Sequence, residues 1–518
     1  MLATDQTSYD RVLYPSNPFA HTHPDHLATI ASLHGMTPAP VSGSRVLELG
    51  CGSGGNLMPM ACQLPDSQFL GIDLSQRAIE NGNAMIAQLG LTNVTLQHRD
   101  IMDLSAADGQ FDYIIAHGVY SWVPQAVRDK ILSIFKHNLS PQGVAFVSYN
   151  AYPGAHLRNL ARSMMLFHVR RATDPQERIA QSRGLMKLLA EAGRQDEIYG
   201  ILLRDQFERI KSVPDEVLIH DDLDEGSAAF FLYQVAEAAA RQGLQYLADA
   251  EFPDPRLFGC SPQVNAMLSQ IPEDEVVARE QYFDFVDGRA FRNGLFCHHD
   301  VPLRRAMTPQ CVKDYYLSTD IVPADEDPAA PGAVAFKSRG GPTLQTDHLL
   351  SKAALVALGR IRPQAITFPD LVQRALSLLG AAAPARGAAL DSQVEAMTDI
   401  LFQAFRAGLV QLHREPLRLT TSISNRPQAS RYARWQAGQG PLVTNLIHSC
   451  VMLEDEVARQ FVLLLDGTRD LEQLGADLRA AVAEGSKNAE LLNPTGAEVR
   501  KAVHDNLEKL AKCALLVA

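Results

Sequence analysis

Short apolar runs alternate with longer amphipathic stretches from Ser44 onward, after an opening segment rich in proline and histidine. This alternation predicts strands joined by helical crossovers, which is typical of an α/β fold with a parallel sheet. Helical periodicity marks residues 75–89 and 127–138 between the apolar runs. The predicted strands are residues 45–50, 68–73, 94–100, 111–117 and 143–149.

The strand pattern stops after Tyr149. Residues 154 to about 250 carry apolar positions at helical spacing, and strand character returns only at residues 279–299. The pair Asp287-Gly288 lies between two apolar runs there, which predicts a β-hairpin. We expect this hairpin to belong to the first sheet, so that the helical segment interrupts the sheet domain.

The chain changes character again at residues 323–343, which are rich in proline, glycine and alanine and are typical of a linker. Helical patterns follow at 348–360, 368–379 and 391–407, and then two short extended runs broken by Pro416. Helices followed by a short hairpin predict a winged-helix-like domain.

The last part of the chain, from residue 454 onward, is predicted to be helical. Gly467 and Gly485 are plausible helix ends, and Gly496 opens the last helix. The C-terminal third is therefore expected to be mainly helical.

Composition and charge narrow the range of functions that the chain could have. The 518 residues are 46% hydrophobic and 20% charged, which is close to the average for a globular chain. A formal charge of −12 argues against a nucleic-acid partner, because phosphate binding needs a basic field. Seven scattered cysteines without a CxxC pair favour a reducing compartment. The start has no apolar core for a signal peptide and no stretch is long enough to insert into a membrane, so we expect a cytoplasmic protein.

A glycine-rich turn, Glu48 to Asn56, follows the first predicted strand and precedes a helix. Glycines remove Cβ atoms where a ligand approaches the backbone. Asp73 ends the second strand about 20 residues later, where a carboxylate can accept ribose hydroxyls. The favoured interpretation is a nucleoside-binding site. A nicotinamide dinucleotide is a less favoured ligand, and the turn could also be a sharp strand-to-helix corner without a ligand.

Four segments now identify a resemblance: ELGCGSGG, GIDLS, the HRD that ends the third strand, and FDYIIAHGVYSW. They are similar to the motifs of class I S-adenosylmethionine-dependent methyltransferases. Further segments resemble the bacterial methyltransferases with a regulatory domain, and most of all the rickettsial protein lysine methyltransferases that modify an outer-membrane protein. These segments, which span most of the chain, are THPDHLATIASLHGM, SYNAYPG, VLIHDDL, EQYFDF, RPQASRYARWQA and LLDGTRD.

The resemblance implies a Rossmann-like sheet with S-adenosyl-L-methionine as cofactor. In that family the glycine turn lies along the amino-acid part of the cofactor, the acid at Asp73 binds ribose and the acid at Asp100 faces the adenine amine. Leu74 and Ile101 would enclose the adenine. The implied cofactor-binding residues are Glu48, Gly50, Cys51, Gly52, Gly54, Asn56, Asp73, Leu74, Asp100, Ile101, His117, Gly118 and Val119.

Lysine methylation requires a deprotonated amine held in line with the methyl group, so positioning and desolvation are the main contributions of the enzyme. Aromatic faces and oxygen acceptors suit such a site. The carboxyl ends of the fourth and fifth strands offer Tyr120, Trp122, Tyr149, Asn150 and Tyr152 as catalytic candidates. Each of them could instead be a core or surface residue.

Several other features have two interpretations. Tyr9 and Tyr14 could form a lid over the cofactor or belong to a mobile arm. The histidine-rich segments at 21–26 and 297–300 lack a complete ligand set, and no metal is expected. Acidic residues between 215 and 225 could face a lysine-bearing polypeptide, although a solvated helix start is slightly favoured. The pair His220 and Asp221 could help to accept a proton.

The expected function is therefore transfer of a methyl group to nitrogen, with a protein lysine as acceptor and an outer-membrane or surface protein before export as the implied substrate. One alternative is a methyltransferase for a small molecule or biosynthetic peptide, and another is a non-catalytic sensor of the cofactor. The sequence does not indicate an oligomeric state. The expected domains are an arm (1–43), the methyltransferase domain (44–153 and 276–300), a helical regulatory or substrate-binding insertion (154–275), the linker (323–343), a winged-helix-like domain (344–425) and a helical C-terminal domain (426–518).

Overall fold

The computed structural model describes residues 14–193, 196–224, 226–252, 260–272, 274–321, 327–337, 343–485 and 496–517. Two residues singled out in the sequence, Tyr9 and Glu225, lie outside these ranges. Within them, no helix is both long and apolar enough to cross a lipid bilayer.

The central sheet begins with five strands whose positions match the apolar runs of the sequence. Strands β1 to β5 pair in parallel in the order β3-β2-β1-β4-β5. The five predicted strands are confirmed, the last being longer than expected. Their bounds are β1 Arg45–Leu49, β2 Gln68–Asp73, β3 Val94–His98, β4 Phe111–Ala116 and β5 Leu139–Ala151.

Three more strands complete this sheet. The short strand β6 (Ala229–Phe230) pairs with the end of β5, and β8 (Phe291–His298) pairs antiparallel with both β5 and β7 (Leu244–Asp249). The sheet order is therefore β3-β2-β1-β4-β5-β8-β7, with β6 paired to β5. The prediction that residues after the helical segment return to the first sheet is confirmed for β8.

Two details of that prediction are wrong. The pair Asp287-Gly288 ends a helix, Val276–Asp287, instead of forming a hairpin, and Gly288 caps the helix in the left-handed region with φ 66°. Residues 244–249 were expected to be helical, but they form β7, because the preceding helix ends before Gly243 at φ 76°. The sheet thus resumes at Leu244.

Helices cover both faces of the sheet, and alternate residues of each strand supply two apolar cores. Val46, Phe69 and Phe146 face one core, whereas Leu47, Ile72 and Val147 face the other. The covering helices are α1 Pro24–Leu33, α2 Leu57–Gln63, α3 Gln76–Leu89, α4 Gln125–Asn138, α8 Leu232–Arg241 and α10 Val276–Asp287; α9 Pro262–Leu268 precedes α10. α1, α2 and α3 contribute to the first core, and α4 and α8 to the second.

A helical segment inserts between β5 and β6. It contains α5 Ala155–Val169, α6 Pro175–Ala192 and α7 Ile198–Ser212, followed by helical turns over Asp215–Val217 and Leu218–Asp222. The Asp222 carboxylate is fully buried and lies 3.0 Å from Arg158 Nε and 2.9 Å from Arg209 Nη2. These ion pairs join α5 and α7 to the end of the insertion.

The next unit contains the three predicted helices, α11 Leu349–Ile361, α12 Phe368–Leu379 and α13 Ala388–Arg406. They pack on a three-stranded sheet in the order β12-β9-β13. The expected hairpin around Pro416 is wrong, because only its first run forms a strand and that strand pairs with β9. The strands are β9 Tyr316–Thr319, β12 Ile366–Thr367 and β13 Val410–His413. Part of the predicted linker forms a hairpin of β10 Val334–Lys337 and β11 Thr343–Thr346.

The C-terminal unit has its own apolar core. The helix expected to stop at Gly467 ends at Leu464, shortly before that glycine, whereas the helix end predicted at Gly485 and the start predicted at Gly496 border residues outside the described ranges and stay predictions. Its elements are α14 Arg431–Gln439, β14 Leu442–Thr444, β15 Cys450–Met452, α15 Glu456–Leu464, α16 Leu471–Gly485 and α17 Gly496–Lys512.

Candidate functional site

The glycine turn and Asp73 meet at the carboxyl ends of β1 and β2. The Asp73 carboxylate accepts hydrogen bonds from Gly52 N at 2.7 Å and from Ser75 N at 2.8 Å. Two backbone donors therefore fix the orientation of this carboxylate, whose oxygens are of the acceptor type that suits ligand hydroxyls. This corner, residues 48–56 with Asp73, is called the donor corner below.

Space for a ligand is provided at Gly52. Its φ is 53°, and a Cβ placed there would meet no atom closer than Ser16 Oγ at 3.8 Å. The backbone thus adopts a conformation that favours glycine and leaves an open cradle beside the Asp73 carboxylate. These features fit the sugar and amino-acid parts of S-adenosylmethionine.

The N-terminal segment lies across the donor corner. Ser16 Oγ accepts a hydrogen bond from Gly55 N at 2.8 Å, and a Cβ at Gly55 would collide with the Ser16 carbonyl. Phe19 N donates to Asn56 Oδ1 at 3.0 Å, next to the Thr22 hydroxyl at 3.2 Å. This close approach explains why residue 55 is glycine. Sequence reasoning placed an arm here but did not identify these contacts.

Glu48 is the buried acid of the donor corner. Its Oε1 accepts from Asn56 Nδ2 at 2.9 Å, whereas Oε2 is buried without a hydrogen-bond partner among the described residues. Burial raises the pKa of the Glu48 carboxyl to about 8, opposed by the Asn56 hydrogen bond and reinforced by the Asp73 charge. The Glu48 carboxyl is therefore protonated at neutral pH.

Apolar surface lies beside this corner. The side chain of Leu74, after β2, is 54% exposed, and Ile101, after β3, is half-buried. The Asp100 carboxylate, which directly precedes Ile101 in the chain, is exposed and accepts a hydrogen bond from Met102 N at 2.9 Å. An exposed leucine, a half-buried isoleucine and an acid suit an adenine ring with its amine, as the resemblance implies.

The loop after β4 closes the other side of the site. The His117 ring lies among aromatic rings, with centroids 3.8 Å from Phe19 and 5.6 Å from His21. Gly118 N donates to Ser148 Oγ at 2.8 Å, which ties the loop to β5. A Cβ at Gly50 would collide with Val119, so the loop packs directly on the glycine turn.

The histidines of this wall are uncharged. Burial lowers the pKa of His117 to about 3 and that of His21 to about 4. Neutral imidazoles would not repel the cationic sulfonium of a cofactor held at this wall. Burial also raises the pKa of the Cys51 thiol well above its ordinary value, so this cysteine is not a nucleophile.

The five acceptor candidates separate into two groups. Tyr120 and Tyr149 are buried with ring centroids 6.2 Å apart and pack on Phe230 in the second core. Burial raises the pKa of Tyr120 to about 12 and that of Tyr149 further, so both phenols stay protonated. Both tyrosines therefore belong to the second apolar core, near the carboxyl ends of β4 and β5.

The other three candidates lie nearer the surface. Trp122 and Tyr152 are half-buried, and Tyr152 stacks on His156 with centroids 4.1 Å apart. Asn150 N donates to Ser121 Oγ at 2.8 Å, and Asn150 Nδ2 lies 3.4 Å from Ser227 Oγ. These residues share one end of the sheet with the donor corner.

The remaining candidates have structural partners. The predicted helix start is confirmed for Asp215 and the exposed Glu216, which lie in the first turn of Asp215–Val217, and Asp215 also pairs with Arg183 at 2.5 Å. The buried Asp222 instead pairs with two arginines and holds the insertion together. His220 is buried, with its ring 5.8 Å from that of Tyr14. Among the residues that the structure describes, no group of three or more His, Cys, Asp or Glu side chains has the geometry of a metal site.

A residue far along the chain also reaches the donor corner. His448, in the turn between β14 and β15, lies 2.8 Å from Asn56 Oδ1 through its Nε2 atom. No periodicity or motif around His448 signals this contact, because the two residues are 392 positions apart.

The parallel order β3-β2-β1-β4-β5, the antiparallel β8 inserted before β7, and a glycine corner facing a carboxylate define a class I, Rossmann-like methyltransferase. The family profiles agree. Residues 40–199 match a methyltransferase domain, residues 214–298 match a predicted methyltransferase regulatory domain, and residues 425–515 match a PKMT C-terminal winged-helix domain. The winged-helix match thus lies after the range, 344–425, in which the sequence predicted such a domain.

Relatives share this organisation. The uncharacterised protein RP789 of Rickettsia prowazekii is 38% identical over 62% of this chain and 58% of its own length, and RP028 of the same organism is 38% identical over 47% of this chain and 98% of its own length. PKMT2 from Rickettsia typhi superposes with a TM-score of 0.87 at 28% identity, covering 98% of this chain and 100% of that protein. Its complex with AdoHcy superposes with a TM-score of 0.86.

The chain belongs to the S-adenosylmethionine-dependent methyltransferases that carry a regulatory domain and a PKMT winged-helix domain. The match to a methyltransferase domain and to a structure that holds AdoHcy confirms S-adenosylmethionine as the methyl donor. The chain matches 58% of the length of RP789, so the remainder of that relative has no counterpart in the alignment.

Proposed function

We propose that this protein is a protein-lysine N-methyltransferase. The observation that carries the proposal is the donor corner, where the Asp73 carboxylate is held by two backbone donors beside the open cradle at Gly52. The likeness to PKMT2 over 98% of the chain supports a lysine acceptor. The individual cofactor-binding and acceptor residues named from the sequence are part of this proposal.

S-adenosylmethionine, when bound, supplies an electrophilic methyl group. The residues of this chain orient the partners and exclude water. Asp73 holds the sugar, and the uncharged His21 and His117 leave the sulfonium region without a competing cation. Because Tyr120 and Tyr149 remain protonated phenols, neither serves as the base that accepts the lysine proton. The lysine ammonium therefore gives its proton to solvent water as it enters the site, where desolvation favours the neutral amine.

We further propose the substrate class and the location. An outer-membrane or surface protein, methylated before export, is the substrate that the rickettsial resemblance suggests. The seven cysteines are all free thiols, which supports a cytoplasmic protein. The helical insertion and the C-terminal units would hold the polypeptide around the acceptor lysine.

The test is methyl transfer from S-adenosylmethionine with a deuterated methyl group into a lysate of the source organism, followed by mass spectrometry. Labelled lysine side chains in proteins, absent when the lysines are first acetylated, are expected. The Asp73→Ala variant serves as the inactive enzyme control. Label confined to low-mass products would favour a small-molecule acceptor, and tight cofactor binding without transfer would favour a sensor.

A further inference from the structure

The C-terminal unit inserts one buried imidazole into the donor corner. His448 is 2% exposed and adopts φ 58°, which is unusual for a residue with a side chain. Asn445 fixes this turn, because its Oδ1 accepts from Ile447 N at 3.2 Å and from Ser449 N at 2.9 Å, and its Nδ2 donates to the Cys513 carbonyl at 3.1 Å. The surrounding structure thus holds His448 in a backbone conformation that costs energy.

The direction of the His448 hydrogen bond follows from its neighbours. Phe19 N donates to Asn56 Oδ1, so this atom is the amide oxygen and His448 Nε2 must be the donor. His448 Nδ1 is then unprotonated, and it is buried without a hydrogen-bond partner among the described residues. Burial lowers the pKa of His448 well below its ordinary value, in agreement with a neutral ring.

The contact continues to the acid of the donor corner. Asn56 Oδ1 accepts the hydrogen bond from His448 Nε2, and Asn56 Nδ2 donates to Glu48 Oε1 at 2.9 Å. A single amide therefore links the C-terminal unit to the Glu48 carboxyl group at the end of β1. If Asn56 rotated, Glu48 would lose a hydrogen bond from its only described donor.

Two other polar contacts join the same units at a different place. Arg431 Nη1 donates to the Leu89 carbonyl at 2.6 Å, and Trp435 Nε1 donates to Gln88 Oε1 at 2.6 Å. Both acceptors lie at the far end of α3, about 20 Å along that helix from the donor corner. Docking of the C-terminal unit and support of the donor corner can therefore be separated by mutation.

We propose that His448 is a positioning residue of the donor site, which orders Asn56 and Glu48 before the cofactor binds. This inference rests on the proposed binding of S-adenosylmethionine at the donor corner. An ordered corner loses less conformational freedom on binding, so affinity depends on the imidazole although His448 need not touch the cofactor. The C-terminal winged-helix unit is then a part of the cofactor site.

The experiment is calorimetric titration of the full-length protein and its variants with S-adenosylhomocysteine, with thermal unfolding recorded for each. His448→Ala removes the donor, and we expect binding about 5- to 30-fold weaker. His448→Asn is a second disrupting variant that tolerates the positive φ but is too short to reach Asn56, so it keeps the test available if the alanine variant unfolds. His448→Gln restores a donor at similar reach and should bind within about threefold of the unaltered protein.

Trp435→Phe is the matched control, because it removes one hydrogen bond between the same two units and keeps an aromatic ring. We expect it to lower the unfolding temperature while leaving affinity within about twofold. Equal affinity of the His448 variants and the unaltered protein would overturn the inference, as would an equal loss in Trp435→Phe or failure of His448→Gln to restore binding. Failure of the unaltered protein to bind would overturn the proposed function together with it.

Discussion

Cofactor binding is expected to release a proton from Glu48. Burial raises the pKa of this carboxyl to about 8, so the proton is retained at neutral pH before a ligand binds. A cationic ligand at the donor corner favours the ionised carboxylate and lowers that pKa. By linkage, affinity for S-adenosylmethionine must then increase as the pH rises toward 8.

The size of the effect follows from the pKa. At pH 7, with a pKa of about 8, roughly nine in ten molecules carry the Glu48 proton, so binding releases up to about 0.9 proton per site. Between pH 6 and pH 7 the affinity should rise by up to about tenfold. For folding the sign is opposite. Below the ordinary pKa of 4.5 the Glu48 carboxyl is neutral in both the folded and the unfolded chain, and the free energy of unfolding falls as the pH rises from there through about 8, because the unfolded chain releases this proton first.

Proton release is measured by titration calorimetry in buffers of different ionisation enthalpy between pH 5.5 and 7.5. The upper end of this range approaches the pKa of about 7.7–8.0 of an α-amine, so any contribution of the ligand's own amine is read from the Glu48→Gln variant, which shares it. Glu48→Gln is the matched control, because its amide oxygen can still accept from Asn56 while carrying no proton to release. Affinity that does not change with pH, or the same slope in Glu48→Gln, would refute the reasoning.

Three other substitutions test separate features. Asp73→Ala should weaken S-adenosylmethionine binding by about 1.5–3 kcal/mol, roughly 10- to 150-fold, whereas Asp66→Ala at the opposite end of β2 should not change it; equal titration curves for both would contradict the ribose contact. Gly52→Val should reduce binding further than Asp73→Ala in the same titrations, because a branched side chain fills the cradle and φ 53° disfavours it, and unchanged affinity would show that the cradle is not used. Arg292→Met removes one of the two buried arginines, Arg289 and Arg292, that pair with Asp284, so urea unfolding should show a loss of about 3–5 kcal/mol, and a loss below about 1 kcal/mol would mean that the Arg292 ion pairs contribute little.

The sequence predicted the features that depend on local pattern. Strands β1 to β5 are visible as apolar runs because both faces of the sheet are buried, and the glycine corner is visible because positive φ restricts the residue type. The pair Asp287-Gly288 was misassigned because a glycine with positive φ suits a hairpin turn and a helix end equally well. β7 was missed because its short apolar run directly follows a helix.

The contacts that shape the candidate site are not local. Ser16 meets Gly55 and His448 meets Asn56 through hydrogen bonds between distant parts of the chain, and neither residue type nor spacing indicates them. The burial of Tyr120 and Tyr149 likewise depends on Phe230, which arrives from beyond the insertion. Fold class and donor corner were therefore predictable, whereas the acceptor side was only outlined.

The position of β8 has a consequence for synthesis of the protein. During translation, β5 leaves the ribosome long before its neighbour β8, since β5 ends at Ala151 and β8 begins at Phe291. Until then one edge of the nascent sheet offers unpaired backbone groups to other chains. A truncated gene product that stops before His298 should accumulate in aggregates, and folding in the cell should depend on chaperones that protect this edge during elongation.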